Sequence, residues 1–265
     1  MNRHSFTNLY PITSFLILLN IGFFVLQWIS EDKLGLARGQ VIMDLGAIHG
    51  GSISNGEPWR LISGTFLHAA WWHIGFNCMA LLSLGRFLEP LLSKSKFFSV
   101  YMLSALGGSL VTYSWPALDL RTESIGEFVS VLFGQASPTG NRDAILNFLH
   151  HSSIGCSGAV FGLLGLMLVY FFKERHPGLR PMLGQLLPLF IALVVVFPML
   201  GVRLDHSAHI GGFAIGGICG LTVTDFATSK TSLRWRIPAG VTGLAMIASL
   251  ALAVYNFGEK HWGWS

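Results

Sequence analysis

Residues 154–172 read IGCSGAVFGLLGLMLVYFF, nineteen positions without one charged side chain. A membrane-spanning helix needs about 20 predominantly apolar residues, so this stretch is a spanning candidate. Gly158, Gly162 and Gly165 punctuate it, and the four-residue step from Gly158 to Gly162 lets a second helix backbone come close. One hydroxyl, Ser157, stands near its start, preceded by Gly155 and Cys156 and followed by Gly158. A Ser flanked by glycines leaves room beside its oxygen, which a nucleophile needs if a bulky acyl group is to reach it. Alone, Gly-x-Ser-Gly is a weak signal that reads more readily as a small-residue packing stripe.

The rest of the chain is of the same kind. Only 11% of the 265 residues are charged, less than half the roughly 25% of a soluble domain. Hydrophobic residues make up 52%, and Phe alone contributes 20. Disorder and nucleic-acid binding both need charge that this chain lacks. A large soluble domain could not cover its surface with so few polar groups. Six further apolar runs stand at 12–29, 67–88, 97–115, 182–200, 207–223 and 238–257, giving seven in all. The expected fold is therefore an all-α polytopic membrane protein. Two connections are long, at 30–66 and 116–153. Cys78, Cys156 and Cys219 all lie inside apolar stretches, so no disulfide framework is indicated. The first run lacks a small-residue cleavage site and more spans follow it, which reads as a retained anchor.

Basic residues set the orientation. With the N-terminus inside, ten Lys and Arg fall in short inner segments, among them Arg86, Lys94, Lys96, Lys173, Arg175, Arg234 and Arg236. Seven fall in much longer outer ones: Lys33, Arg38, Arg60, Arg121, Arg142, Arg203 and Lys260. The sequence pI of about 9.1 then reflects basic inner loops and not a patch for a partner. Both long loops and the C-terminus are expected outside.

Polar side chains within spans are costly, so each is a functional hypothesis. Ser157 is one. His209 is another, just inside the run opened by Asp205-His206-Ser207-Ala208 and followed by Gly211, Gly212, Gly216 and Gly220. The third group follows Trp59-Arg60: His68, His73 and Asn77, the last two one helical turn apart on the same face. The runs bearing these groups point the same way, because a single return crossing separates each pair. Counted from the start of its run, Ser157 is fourth and His209 third, so both lie about 5–6 Å deep. Ser, His and a His/Asn pair thus gather at one depth in the outer half of the membrane. That fits serine hydrolysis: Ser157 as nucleophile, His209 as general base and later general acid. His73, Asn77 and the Ser157 N–H would donate to the developing oxyanion, favoured by the helix dipole. Asp205, four residues before His209, admits a triad. Its place at a helix start fits an N-cap instead, and the expectation is a Ser–His dyad. A metal site is not expected, since no His-Glu-x-x-His occurs and no carboxylate accompanies His68 and His73 at ligand spacing.

Trp59-Arg60, His68, His73-x-x-x-Asn77, Gly155-x-Ser157-Gly158 and Ala208-His209-x-x-Gly212-x-x-x-Gly216, in this order, resemble the rhomboid family of intramembrane serine proteases. The resemblance covers most of the chain. It implies a six-helix core, here residues 1–225, whose first outer loop lies partly in the membrane. Residues 226–265 would add a basic inner loop, a seventh transmembrane helix and a short outer tail. It also implies Ser157 and His209 as the dyad, His73 and Asn77 at the oxyanion hole, and Trp59-Arg60 holding the first outer loop. Substrates would be single-span or polytopic membrane proteins, cut near the outer boundary of the bilayer. No cofactor, metal or nucleic acid is implied, and a bacterial inner (plasma) membrane is the expected location. The 116–153 loop is long for the family. Its apolar patch 125–133 reads as solvated loop or as a membrane-surface segment.

Other classes fit less well. A transporter would thread its polar groups across the membrane and show an inverted repeat, and neither is visible. A catalytically dead relative would not need both Ser157 and His209. An aspartyl intramembrane protease would need two Asp within spans, whereas each Asp here lies in a loop or at a helix end.

Overall fold

The computed structural model describes residues 10–115, 152–175, 184, 204–223 and 233–264. Apart from residue 184, the expected run at 182–200 lies outside the described residues, as do the apolar patch 125–133 and the expected domain boundary at 225/226.

Helix α1 spans Pro11–Leu34, with a Pro in its first turn and Gly35 after its end in the left-handed region at φ 63°. The first long connection is not a plain loop. It holds α2 (Arg38–Asp44), strand β1 (Ile48–His49), α3 (Gly50–Ser54), α4 (Arg60–Ser63) and a 3-10 turn, Gly64–Phe66. Then follow α5 (Trp71–Leu88), α6 (Lys94–Ser114), β2 (Ser152–Ser153), α7 (Ser157–Lys173), α8 (His206–Thr222) and α9 (Leu233–Trp262). The all-α expectation is thus amended by one two-stranded antiparallel pairing, Ile48 opposite Ser153 and His49 opposite Ser152. It ties the first connection to the segment that leads into α7.

Among the described residues three helices, α1, α6 and α9, are long and apolar enough to cross a membrane. Helices α7 and α8 have 17 residues each. That is roughly 26 Å, a little short of the ~30 Å hydrocarbon core. Of the apolar window in α6, 56% is buried inside the protein, against 22% in α9. Helix α6 is therefore central and α9 peripheral. On α9, Val241, Leu244 and Ile247 are each more than 60% exposed. An apolar face of that kind suits lipid and not water.

The centre of the bundle is α7 packed on α8, with α6 against both. Small residues make this possible. A Cβ on Gly212 would overlap the carbonyl of Gly158, and one on Gly216 would overlap that of Gly162. The two backbones touch directly. Polar caps fix the other ends. Glu89, just beyond α5 and buried, accepts from the backbone N–H groups of Ile12 and Thr13, each at 2.8 Å, and so caps α1. Gln27 of α1 clamps His68 on both backbone sides, accepting from its N–H at 3.1 Å and donating to its carbonyl at 3.0 Å.

Candidate active site

Helices α5, α7 and α8 all begin at one end of the bundle, and so does the polar site. Two starts differ from the sequence expectation. Helix α7 opens at Ser157 and not at 154, because Gly155 takes φ 114° and Cys156 is the N-cap. Ser157 is therefore the first helical residue, where backbone N–H groups have no intrahelical partner. Helix α5 opens at Trp71 and not at 67, since Leu67 and Ala70 are extended. His68 thus precedes the helix and does not enter it.

His209 is the fourth residue of α8. Its Nε2 lies 2.8 Å from Ser157 Oγ, at hydrogen-bond distance, and the residue is buried. This approach across two helices follows from the glycine contact at Gly158 and Gly212 just below it. Phe161, one turn along α7 from Ser157, stacks on the His209 ring with centroids 4.2 Å apart and planes 9° apart. The stack fixes the plane of the imidazole.

His73 and Asn77 share one face of α5 and converge on Gly155. A Cβ placed there would lie 2.9 Å from His73 Nε2 and 3.6 Å from Asn77 Nδ2. Any side chain at Gly155 would fill the space toward which both nitrogens point. Asn77 Nδ2 is buried with no hydrogen-bond partner among the described residues. A buried donor without an acceptor is costly, and at a site it marks where an acceptor arrives. The Ala69 N–H donates to His73 Nδ1 at 3.4 Å. A neutral His73 therefore carries its proton on Nε2, on the side facing Gly155.

The Asp205 backbone carbonyl accepts from the His209 N–H at 3.3 Å, but among the described residues no hydrogen bond joins the Asp205 carboxylate to the His209 ring. That carboxylate caps α8 by accepting from the Ala208 N–H at 3.0 Å, and it accepts from the hydroxyls of Thr112 at 2.7 Å and Ser207. Burial pushes its carboxyl up. Hydrogen bonds from Ser153, Ser207, Thr112 and the Ala208 N–H outweigh this and hold it below the usual value.

The remaining candidates stand around this group. Cys156 Sγ lies 3.9 Å from His68 Nε2, so it is turned toward His68. The His68 ring is in edge contact with that of His73 at 5.0 Å. Arg60 donates to the carbonyls of Met43 at 2.7 Å and Ala47 at 3.2 Å, pairs with Glu57, and lies 4.9 Å over the Trp59 ring. Trp59 and Arg60 thus brace the first connection, away from the Ser157–His209 pair. The Gly155 N–H donates to the Gly64 carbonyl at 2.9 Å, which carries that bracing to the start of α7. Among the described residues, no three His, Cys, Asp or Glu side chains gather as a metal ion requires. The sequence reading missed Phe161 and the Thr112 and Ser207 partners of Asp205. The i+4 spacing from Ser157 was the available signal for Phe161.

The sequence profile of the Rhomboid domain matches residues 55–226. The chain is 31% identical over 201 residues to RHOMBOID-like protein 5 of Arabidopsis thaliana, a match covering 74% of this chain and 54% of that relative. It is 27% identical over 224 residues to the putative rhomboid protease YdcA of Bacillus subtilis, covering 82% of this chain and 93% of the relative. With the rhomboid protease AarA of Providencia stuartii the identity is 25% over 217 residues, 78% of this chain and 70% of that one.

Proposed function

This chain belongs to the rhomboid family, and we propose that it cleaves membrane proteins within the bilayer by a Ser157–His209 dyad. It is a rhomboid-type serine endopeptidase and an integral membrane protein, as its relatives' names and its apolar helices support. The observation that carries the dyad is the 2.8 Å separation of Ser157 Oγ and His209 Nε2.

In this reading Ser157 Oγ attacks the scissile carbonyl while its proton passes to His209 Nε2. The carbonyl oxygen becomes an oxyanion and accepts from His73 Nε2–H, Asn77 Nδ2–H and the Ser157 N–H. The carbon–nitrogen bond then breaks. His209 gives its proton to the departing amine, leaving an acyl ester on Ser157. Water, deprotonated by His209, attacks that ester; His209 then returns the proton to the departing Ser157 Oγ, and the new carboxylic acid ionises to the carboxylate. Asp205 caps α8 and takes no part in proton transfer. A substrate helix hides its carbonyls in intrahelical bonds, so it must unwind locally before attack.

Residues 1–225 form the catalytic core and 226–265 the appended seventh span. The density of basic residues supports an N-terminus inside, with the site toward the outer boundary of a bacterial inner membrane. Reporter fusions after Arg175 and after Ser265 then fall on opposite sides, and the same side for both contradicts the seven-span layout. The activity is tested by reconstitution with a panel of model single-span substrates, comparing wild type with Ser157→Ala. Cleavage by wild type alone is expected. Equal cleavage by both ends the reading.

A further inference from the structure

Among the described residues, helix α9 is the least buried of the three long apolar helices, yet it makes directed polar contacts with the first connection. Midway along, Ser249 Oγ donates to the Trp59 carbonyl at 2.7 Å. At its far end, Lys260 and His261 both engage Asp44, the last residue of α2, with His261 Nε2 at 2.8 Å. The Asp44 and His261 side chains are only 11% and 12% exposed. At its other end, Arg234 donates to the carbonyl of Thr222 at 2.6 Å, the last residue of α8. One peripheral helix thus touches both the end of the helix that bears His209 and the connection beside Ser157.

From Asp44 the contacts run along the first connection to Gly155, two residues before Ser157. The preceding carbonyl, of Met43, accepts from Arg60. The Gly46 carbonyl accepts from Ser63 Oγ at 2.7 Å. Ile48 pairs with Ser153. The Gly64 carbonyl accepts from the Gly155 N–H, two residues before Ser157 and in the place where His73 and Asn77 converge. Ionisable side chains at the end of an apolar helix are costly to order unless they have a partner. Here a lysine and a histidine converge on one nearly buried carboxylate.

We propose that α9 is a positioning element for the active site, acting through the clamp of Lys260 and His261 on Asp44. The clamp holds the first connection in register, and with it Gly155 and the oxyanion donors. This rests on the Ser157–His209 reading. A small displacement at the reacting centre costs up to about a hundredfold in rate, so loss of the clamp should cost on the order of tenfold in kcat, with KM changed by less than about threefold.

The test uses full-length protein in detergent, with active sites counted by a fluorophosphonate taken to completion. Asp44→Ala and the double variant Lys260→Ala/His261→Gln are compared with wild type on one transmembrane substrate. A positioning role lowers kcat per labelled site about tenfold in both, and the exchanged pair Asp44→Lys/Lys260→Asp recovers most of it. A purely stabilising contact lowers the labelled fraction and the melting temperature but leaves kcat per labelled site unchanged, which overturns the proposal. Loss without recovery in the exchanged pair also overturns it. Ser157→Ala, run alongside, separates the two claims: if it still cleaves, the serine-protease reading has failed, and not the clamp.

Discussion

Asp205 and His209 lie one turn apart on α8, yet the Asp205 carboxylate is bound to the Ala208 N–H, Thr112 and Ser207. A carboxylate so engaged caps the helix, and in the proposed dyad it is not the group that orients the imidazole. Asp205→Asn is therefore expected to retain activity within about tenfold, because Asn is also a good N-cap. An orienting carboxylate of a Ser-His-Asp triad would cost about 10⁴ in kcat when replaced. Steady-state cleavage by the purified variant distinguishes the two.

The ring of Phe161 stacks on His209. Aromatic stacking contributes about 0.5–1.5 kcal/mol beyond buried area, which corresponds to roughly two- to tenfold in rate. Phe161→Ala should lower kcat by that factor with little change in KM, while Phe161→Tyr keeps the stack and the rate. A Phe161→Ala enzyme as fast as wild type would show that the dyad holds its geometry unaided.

The glycine contact gives a paired prediction on stability. A methyl on Gly212 meets the Gly158 backbone, whereas none of the described residues lies within 4 Å of one on Gly240 in α9. Overpacking of this kind costs about 1–3 kcal/mol. Gly212→Ala should lower the melting temperature in detergent and separate His209 from Ser157, and Gly240→Ala should do neither. Equal melting curves would mean that α7 and α8 tolerate wider spacing.

Removing one oxyanion donor typically costs about 10²–10³ in rate. With two side chains and one backbone N–H sharing the task, His73→Ala and Asn77→Ala should each fall at or below that range. The double variant should be slower than either. Measured kcat values for the three would contradict the assignment if the double variant matched the faster single one.

Much of the site was legible because imidazole, amide and hydroxyl groups stand out in apolar runs where each is costly. Ser157, His209, His73 and Asn77 all surfaced that way. The helix starts were harder to read. Ile154, Gly155 and Cys156 continue the apolar composition of α7, and only the left-handed φ of Gly155 shows that the helix has not begun. His68 looked helical for the same reason, although Leu67 before it is extended. Phe161 was hidden as one Phe among 20. The reach of α9 to Asp44 depends on a fold contact across more than 200 residues, which no local pattern encodes.

The most direct test of Ser157 as a nucleophile activated by His209 is fluorophosphonate labelling with the modified residue mapped by mass spectrometry. The label should fall on Ser157 in the wild type, be absent in Ser157→Ala, and form at least about 10³ times more slowly in folded His209→Ala, since nucleophile and base act as one unit. A label on another residue, or labelling of Ser157 at the wild-type rate in His209→Ala, would contradict the dyad.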